Sequence, residues 1–245
     1  MVPSLTCFKF RFTPSWPMLL LAVVFFSLFL RLGFWQIHRA DEKTKMILAQ
    51  KTQERQKPVL WSAKKKLPLQ YERIVLKGKY GSQIFLLDNQ HHNHQFGYDV
   101  LTPLELSDGT LVLIDRGWVP GELTRRVLPN IQIPKGVIEL QGSAYFPSKK
   151  QWVLGPALEE RGNKITILER VDDQLISQIL QKSVSPFIIR LDKQDANGFV
   201  REWETVSMPP QRHLAYALQW FVMALVVLII FVALNLKKKN EKTSQ

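Results

Sequence analysis

The stretch that decides the fold runs from Trp16 to Trp35 and reads WPMLLLAVVFFSLFLRLGFW. As an α-helix it is about 29 Å long at a rise of 1.5 Å per residue, which matches the hydrocarbon core of a bilayer. A tryptophan at each end suits the two membrane interfaces. Arg31, about 6 Å inside Trp35, can extend its side chain to the nearer interface. The sequence therefore predicts a first transmembrane helix at residues 16–37.

A cleaved signal peptide is the alternative interpretation of this run, because Lys9 and Arg11 precede it as such a peptide requires. The residues that follow the run, Arg31–Arg39, contain no small-x-small cleavage pattern. We therefore expect an anchor that is retained in the mature protein.

A second apolar run, Leu214–Leu236, lies near the end of the chain and is followed at once by three lysines. Its length of 23 residues is enough to cross a bilayer with some tilt. We assign residues 213–236 to a second transmembrane helix. Two spans place both termini on the same side of the membrane.

The distribution of positive charge predicts the orientation. The short tails at 1–15 and 237–245 are basic, and the positive-inside rule places such tails in the cytoplasm. Basic residues within 39–45 favour the opposite orientation, but the rule is weak at the start of a long translocated segment. The segment 38–212 is thus expected to be extracytoplasmic, in the periplasm of a bacterial inner membrane or the intermembrane space of a mitochondrion. A cytoplasmic domain is the alternative.

Composition argues against several classes of protein. The net charge is +12, but residues 38–212 hold 26 Lys and Arg against 20 Asp and Glu, so we expect no nucleic-acid partner. Cys7, the single cysteine, precedes the first span, so the segment after it has neither a disulfide nor a thiolate metal site. Without a Ser-His-Asp spacing, a G-x-S-x-G, a P-loop or a G-x-G-x-x-G motif, we predict no enzyme.

The segment between the spans is predicted to be a mainly antiparallel β (α+β) domain, either a sandwich or an open barrel. Short runs rich in β-branched and aromatic residues alternate with turn signals, and Asp108-Gly109 indicates a hairpin. The predicted strands are Arg73–Lys77, Ile84–Asp88, Tyr98–Leu104, Thr110–Asp115, Val137–Gly142, Lys164–Glu169 and Phe187–Leu191.

Two helical features are expected outside the membrane. The first helix should continue through Asp41–Arg55, because proline and glycine are absent from 34–57 and Pro58 follows. A short amphipathic helix should be capped by Asp172 or Asp173.

Three of the five histidines, His91, His92 and His94, lie in a polar stretch between two predicted strands. Neutral imidazoles ligate copper or zinc, and in an extended chain His92 and His94 share a face. A solvated loop is the plainer interpretation. The sequence leaves open whether these histidines bind a metal.

His213 stands at the mouth of the second span, and His38 stands at the same side of the first. A histidine at this depth can ligate a haem iron while the bilayer solvates the porphyrin. Helical spacing places aromatic and basic residues nearby, which suit a porphyrin and its propionates; ordinary interfacial anchoring explains them equally well. These residues are Trp35, Arg39, Arg212, Tyr216 and Trp220.

Arg116, Gly117 and Trp118 follow the apolar strand Leu111–Ile114. An exposed arginine and tryptophan at a strand end are typical of an interaction surface. In the alternative interpretation, Gly117 permits a bulge and Trp118 packs in the core.

Three segments together resemble the Surfeit locus protein 1 family of cytochrome c oxidase assembly factors. Leu32–Arg39 fits the family's Gly-x-Trp-Gln-x-x-Arg pattern, Arg116–Pro120 follows Gly97–Leu104, and His213–Phe221 opens the second span. Their order along the chain makes the match specific, although 121–200 match weakly.

The resemblance implies a role in maturing the haem-containing subunit of the oxidase. It implies that oxidase subunit 1 and other assembly factors are partners, that haem a is bound transiently, and that His213 is its axial ligand beside Trp35. The function expected is thus a non-enzymatic chaperone that holds or presents haem a. A haem-independent membrane scaffold for oxidase subunits and an extracytoplasmic sensor are the alternatives.

Overall fold

The computed structural model describes residues 5–7, 10–148, 158–161 and 164–238. The chain forms two compact units. The first consists of the described parts of Met1–Ile47 and Val206–Gln245, and we call it the helix pair. The second, Leu48–Thr205, is the β-domain.

Three helices and twelve strands occur among the described residues. The helices are α1 (Trp16–Glu54), α2 (Asp173–Leu180) and α3 (Pro210–Asn235). The strands are β1 (Leu5–Cys7), β2 (Phe10–Phe12), β3 (Val59–Leu60), β4 (Arg73–Tyr80), β5 (Ile84–His92), β6 (Gln95–Leu106), β7 (Leu111–Pro120), β8 (Val137–Tyr145), β9 (Leu158–Arg161), β10 (Ile165–Leu168), β11 (Val184–Leu191) and β12 (Leu236–Lys238).

The helix pair contains α3 and most of α1. Both helices are long and apolar enough to cross a membrane, and their apolar stretches are almost wholly exposed. Such exposure suits helices surrounded by lipid, because in water it would be unfavourable. The two apolar runs therefore form two transmembrane helices, and β1, β2 and β12 form a small antiparallel sheet in the same unit.

A glycine lets the two helices approach each other. A Cβ atom added to Gly33 of α1 would lie 2.6 Å from the ring of Phe221 of α3. Small residues at such a position allow close backbone packing between membrane helices. Aromatic contacts flank this point, with Phe34 edge-on to Phe221 and Phe29 stacked on Trp220.

A closed five-stranded barrel organises the β-domain. The order around it is β4-β8-β11-β7-β6, and pairing of β4 with β6 closes the ring. The pair β11–β7 is parallel, whereas the other four pairs are antiparallel. Numbered along the chain, the barrel strands run 1-2-3-5-4, which is the arrangement of the OB fold.

The barrel encloses one apolar core and supports a second core on its outer face. Inward side chains alternate along the strands, as at Val112 and Ile114 of β7 and Ile189 and Leu191 of β11. Outward residues of the same strands, such as Leu113 and Ile188, pack under β5, β10 and α2. The insertions between barrel strands thus cover part of the outer face.

The structure confirms the predicted fold class, with two apolar helices flanking a mostly antiparallel domain, and it favours the barrel over the sandwich. The first helix ends at Glu54, close to the predicted end. Asp172 caps α2 by accepting hydrogen bonds from the amides of Gln174 and Leu175. Most of the predicted strands extend further than expected, because pattern alone does not reveal where pairing stops.

Leu104→Ala should destabilise the β-domain, because Leu104 is fully buried in the barrel core. Loss of a core leucine typically lowers the free energy of unfolding by about 2–5 kcal/mol. Urea unfolding of the full-length protein in detergent, followed by tryptophan fluorescence, measures the change. Leu123→Ala is the matched control: Leu123 is 82% exposed, so its substitution should change stability by less than about 0.5 kcal/mol. Equal effects would contradict the assignment of the core.

Candidate functional site

His213 is a buried polar residue within the apolar helix pair. It lies in the first turn of α3 and is only 8% exposed. Its Nδ1 atom is 2.7 Å from Oε1 of Gln36 on α1. The close approach of the two helices at Gly33 brings these side chains within hydrogen-bonding distance.

The hydrogen bond to Gln36 determines which nitrogen of His213 carries the proton. An amide oxygen only accepts, so Nδ1 is protonated and donates. In the neutral ring Nε2 then holds a lone pair, and this atom is buried without a hydrogen-bond partner among the described residues. A histidine whose other nitrogen is fixed by an oxygen acceptor is the usual form of a metal-ligating imidazole.

The other residues predicted around His213 occupy different environments. Trp35 and Tyr216 are 53% and 43% exposed and belong to the outer surface of the helix pair, where Arg212 is exposed as well. Trp220 stacks on Phe29. Arg39 hydrogen-bonds Glu42 on its own helix, and His38 contacts the same carboxylate. The residue of α1 that hydrogen-bonds His213 is Gln36.

Sequence reasoning did not single out Gln36, although a signal was present. Gln36 follows Trp35 in the quoted motif and is an uncharged amide at the end of a membrane span. Such an amide is costly to bury without a partner. That cost predicts a hydrogen-bonding partner for Gln36, such as a histidine or a backbone group, on a neighbouring element.

Arg116 and Trp118 of β7 are buried rather than exposed. Arg116 is 3% exposed, and its Nε and Nη1 atoms donate to the carbonyl oxygens of Asn197 (2.8 Å) and Gln132 (3.0 Å). Burial lowers the pKa of the Arg116 guanidinium. The indole nitrogen of Trp118 donates to the carbonyl oxygen of Gln90 at 3.3 Å. These contacts favour the packing alternative, and an interaction role for this strand end stays a prediction.

Gly117 allows a second segment to pack onto this strand. Its φ is +105°, and an added Cβ atom would lie 2.4 Å from the carbonyl oxygen of Val200. The amides of Trp118 and Val200 each donate to the other residue's carbonyl oxygen, at 2.7 and 3.1 Å. The amide of Gly117 donates to Oδ1 of Asp115 at 3.2 Å. Asp115 and Gly117 thus shape the strand so that the segment 197–200 can join it.

The histidine stretch lies at the end of β5. His91 and His92 belong to the strand, and His94 lies in the turn with φ +63°. His92 Nδ1 is 3.8 Å from a carboxylate oxygen of Glu202, and its ring lies 5.2 Å from that of Trp118. In the part of the chain that the structure describes, no three potential metal ligands lie together.

A polar row crosses the outer face of the barrel. The registers place Arg190 of β11 opposite Asp115 of β7, with Asp99 on the neighbouring strand β6. Two cavities of about 300 and 410 Å³ lie along this row, and both are lined by Asp99, Arg190 and Gln90. Sequence analysis did not identify this row, because its members are separated along the chain and only strand pairing brings them together.

The pKa values of both carboxyl groups of the row are raised. Burial raises the pKa of Asp99 to about 6, and the nearby Arg190 opposes the rise. Burial and the charge of Asp99 raise the pKa of Asp115 well above its usual value. The row therefore contains one carboxyl group, that of Asp99, that titrates close to neutral pH.

The sequence profile of the SURF1 family matches residues 23–225. The chain belongs to the SURF1 family. The SURF1-like proteins of Rickettsia felis and Rickettsia conorii are each 24% identical to it, over 220 and 224 residues. These alignments cover 87% and 86% of this chain and 94% and 88% of the relatives. The SURF1-like protein of Dictyostelium discoideum is 30% identical over 151 residues, covering 57% of this chain and 52% of that relative.

The SURF1 family is known for cytochrome c oxidase assembly rather than catalysis, and the predicted resemblance is confirmed. The motifs that carried it form two physical groups in the structure. The first and third motifs supply Gln36 and His213, which are hydrogen-bonded to each other. The second, with the segment before it, supplies the buried strand end at Trp118 and Asp99 of the polar row.

Gly117→Ala should destabilise this SURF1-family protein more than Gly109→Ala. Both glycines have positive φ, but an added Cβ atom at Gly109 meets nothing within 4 Å, whereas at Gly117 it meets Val200. Backbone strain of this kind costs about 1–3 kcal/mol, and the clash adds to it only at Gly117. Urea unfolding of both variants measures the difference. Equal losses would show that the contact with the segment 197–200 contributes nothing.

Asp115→Asn should remove the contribution of Asp115 to the pH dependence of stability. Because the folded-state pKa of Asp115 is raised, the native state binds a proton more tightly than the unfolded state, and stability falls as pH rises from about 4 upward. The asparagine can still accept from Gly117. Its stability relative to wild type should therefore increase between about pH 4.5 and pH 7.5.

Chemical unfolding at several pH values, in the full-length protein, measures this difference. Asp108→Asn is the control, because a hydrogen bond from the amide of Thr110 lowers the pKa of Asp108. The stability of Asp108→Asn relative to wild type should decrease slightly as the pH rises over the same range. A constant difference between Asp115→Asn and wild type would contradict the raised pKa.

Proposed function

We propose that this protein assists the assembly of haem-copper cytochrome oxidase by holding haem a at the membrane surface, with Nε2 of His213 as the iron ligand. The observation that carries the proposal is a buried Nε2 without a partner, on a ring whose Nδ1 is hydrogen-bonded to Gln36. An unpaired buried nitrogen is costly and calls for an explanation. A bound iron would provide the partner that Nε2 of His213 lacks.

Gln36 would act as the residue that positions the ligand. Its oxygen accepts from Nδ1, which fixes the tautomer and limits rotation of the imidazole. Gln36 is uncharged, and a neutral imidazole is the form that ligates iron. If haem binds here, His213 would hold its iron and Gln36 would orient the imidazole, and the haem would be a cargo for the oxidase rather than a catalyst.

The surface around His213 suits a porphyrin. Trp35 and Tyr216 expose aromatic surface that can pack against the ring, and Trp220 continues the same face of α3. Arg212 is exposed in the first turn of α3 and can pair with a propionate. Arg39 would first have to leave Glu42.

The proposal includes a location and partners. The basic tails favour an orientation with both termini in the cytoplasm, which would put the β-domain in the periplasm, or in the intermembrane space if the protein is mitochondrial. The membrane is then the inner membrane. Subunit 1 of the oxidase, which receives the haem, would be the principal partner, together with other assembly factors.

A second candidate function is a scaffold that binds oxidase subunits without haem. Exposed apolar side chains in the loop after β7 favour it, since Leu123 and Val127 are 82% and 67% exposed. Isolated exposed leucines are common on surfaces, but apolar groups at a partner surface are usually covered by the partner. The two functions differ in whether His213 matters.

His213→Ala should remove haem from the purified protein and selectively reduce the a-type band in reduced-minus-oxidised spectra of membranes. Gln36→Ala should lower haem affinity about tenfold or more, since loss of a residue that orients a metal ligand typically has this effect. His38→Ala is the matched control. His38 lies on the same side of the membrane, but its ring is exposed and contacts Glu42.

Circular dichroism shows whether each variant still folds. Unchanged haem content and an unchanged a-type band in folded His213→Ala would exclude the ligand role. If Leu123→Ser with Val127→Ser then abolished the a-type band, the scaffold function would replace the haem-holding one.

A further inference from the structure

Arg190 stands where three cavities of the β-domain meet. It lines the two cavities along the polar row and a third of about 310 Å³, which also includes Gln50 and Tyr71. The guanidinium lies 3.7 Å from the ring centroid of Tyr145 and 5.3 Å from that of Trp203. Aromatic rings thus hold the side chain without using its hydrogen-bond donors.

The N–H donors of Arg190 have no acceptor among the described residues. A guanidinium carries five N–H groups, and Arg190 makes no hydrogen bond or ion pair with any residue that the structure describes. Its Nε is buried. All other arginines that are at least partly buried in the described ranges have polar partners: Arg39, Arg73, Arg116, Arg170 and Arg201. Partly buried donors without acceptors indicate that the acceptor is a molecule not supplied by these residues.

The position of Arg190 in the barrel also indicates a ligand-binding site. Ligands of OB folds bind on the face of strands 2 and 3, beside the loops that join strands 1–2 and 4–5. Here strands 2 and 3 are β6 and β7, which carry Asp99 and Asp115. The first loop contributes Gln90, and the second contributes Glu169 and Val171 to the larger cavity. The likeness of fold supports the location and leaves the ligand to be argued from the side chains.

We propose that the cleft around Arg190 binds a small molecule through a carboxylate group. The planar fork of the guanidinium matches a carboxylate, and its two parallel N–H donors can bind both oxygens. The carboxyl group of Asp115 can donate a further hydrogen bond when it is protonated. The cavities leave room for a small organic body beside the carboxylate.

The neighbouring acids favour a ligand with a single negative charge. Asp99 shares the cleft with Arg190 and, with a pKa of about 6, is mostly ionised at neutral pH, so a dianion such as phosphate is repelled more strongly than a monoanion. Lowering the pH neutralises Asp99 and should strengthen binding. The other charged or titratable groups that line the three cavities are Asp115, Asp88 paired with Arg125, His91, His92 beside Glu202, Glu204, Glu169, Tyr145, Tyr71, Glu54, Arg73 paired with Asp192, and Lys193.

The test uses the full-length protein in detergent and water-soluble monocarboxylates of increasing size: acetate, lactate and gluconate. Ligand-observed saturation-transfer NMR detects weak binding, and the fluorescence of Trp118 and Trp203, which line one cavity, gives a second readout. Binding should be saturable for at least one carboxylate and tighter at about pH 5.5 than at about pH 8, because Asp99 titrates between them.

Arg190→Gln should weaken binding about tenfold or more, the usual effect of losing a charge-assisted hydrogen-bonded pair. Arg190→Lys keeps the charge but loses the planar fork of N–H donors, so its affinity should lie between those of wild type and Arg190→Gln. It provides a second variant if Arg190→Gln folds poorly. Arg126→Gln, an exposed site outside the cavities, should bind as wild type does.

His213→Ala should also bind carboxylates unchanged, so the result is independent of the haem proposal. The absence of saturable binding by wild type at about pH 5.5 would overturn the proposal. Equal affinity in folded Arg190→Gln would overturn it as well. Tighter binding of phosphate than of every carboxylate would overturn the assigned chemical class.

Discussion

The β-domain depends on the double pairing of β4, which hydrogen-bonds β8 along one edge and β6 along the other. This pairing closes the sheet into a barrel and so separates the inward-facing side chains of the β-domain from the outward-facing ones. Gly78 lies at the point of closure, where an added Cβ atom would be 2.4 Å from the carbonyl oxygen of Glu105. A glycine is needed there because two strands approach more closely than a side chain permits.

Closure of the barrel explains how the β-domain holds buried polar groups outside its apolar core. The inward side chains complete an apolar core, so Asp99, Asp115 and Arg190 face outward. The insertions that carry β5, β10 and α2 then cover the outer face, and the polar row becomes buried without entering the core. Burial of this kind raises the pKa values of the two acids while cavities keep them accessible to small molecules.

Much of the fold was predictable because its signals are local. The apolar runs are long, the cap at Asp172 precedes an amphipathic stretch, and alternation marks most strands. Barrel closure was not predictable, since the pairing of Gly78 with Leu106 joins residues that no local pattern connects. The same limit applies to the candidate sites. His213 could be found from its depth in the membrane and from the family motif, whereas its partner Gln36 depends on the distance between two helices. Arg116 and Trp118 show the converse limit, because sequence alone does not distinguish a buried strand end from an exposed one.

The uncharged side chain of Gln36 has a consequence for the biogenesis of the protein itself. A glutamate at position 36 would make a more basic imidazole but would bring a charge to the edge of the hydrocarbon, where ionised groups are costly. The amide avoids that cost, so the helix pair can enter the membrane and pack around Gly33 without burying a charge at position 36. Gln36 and His213 therefore join the two helices by a hydrogen bond rather than by an ion pair.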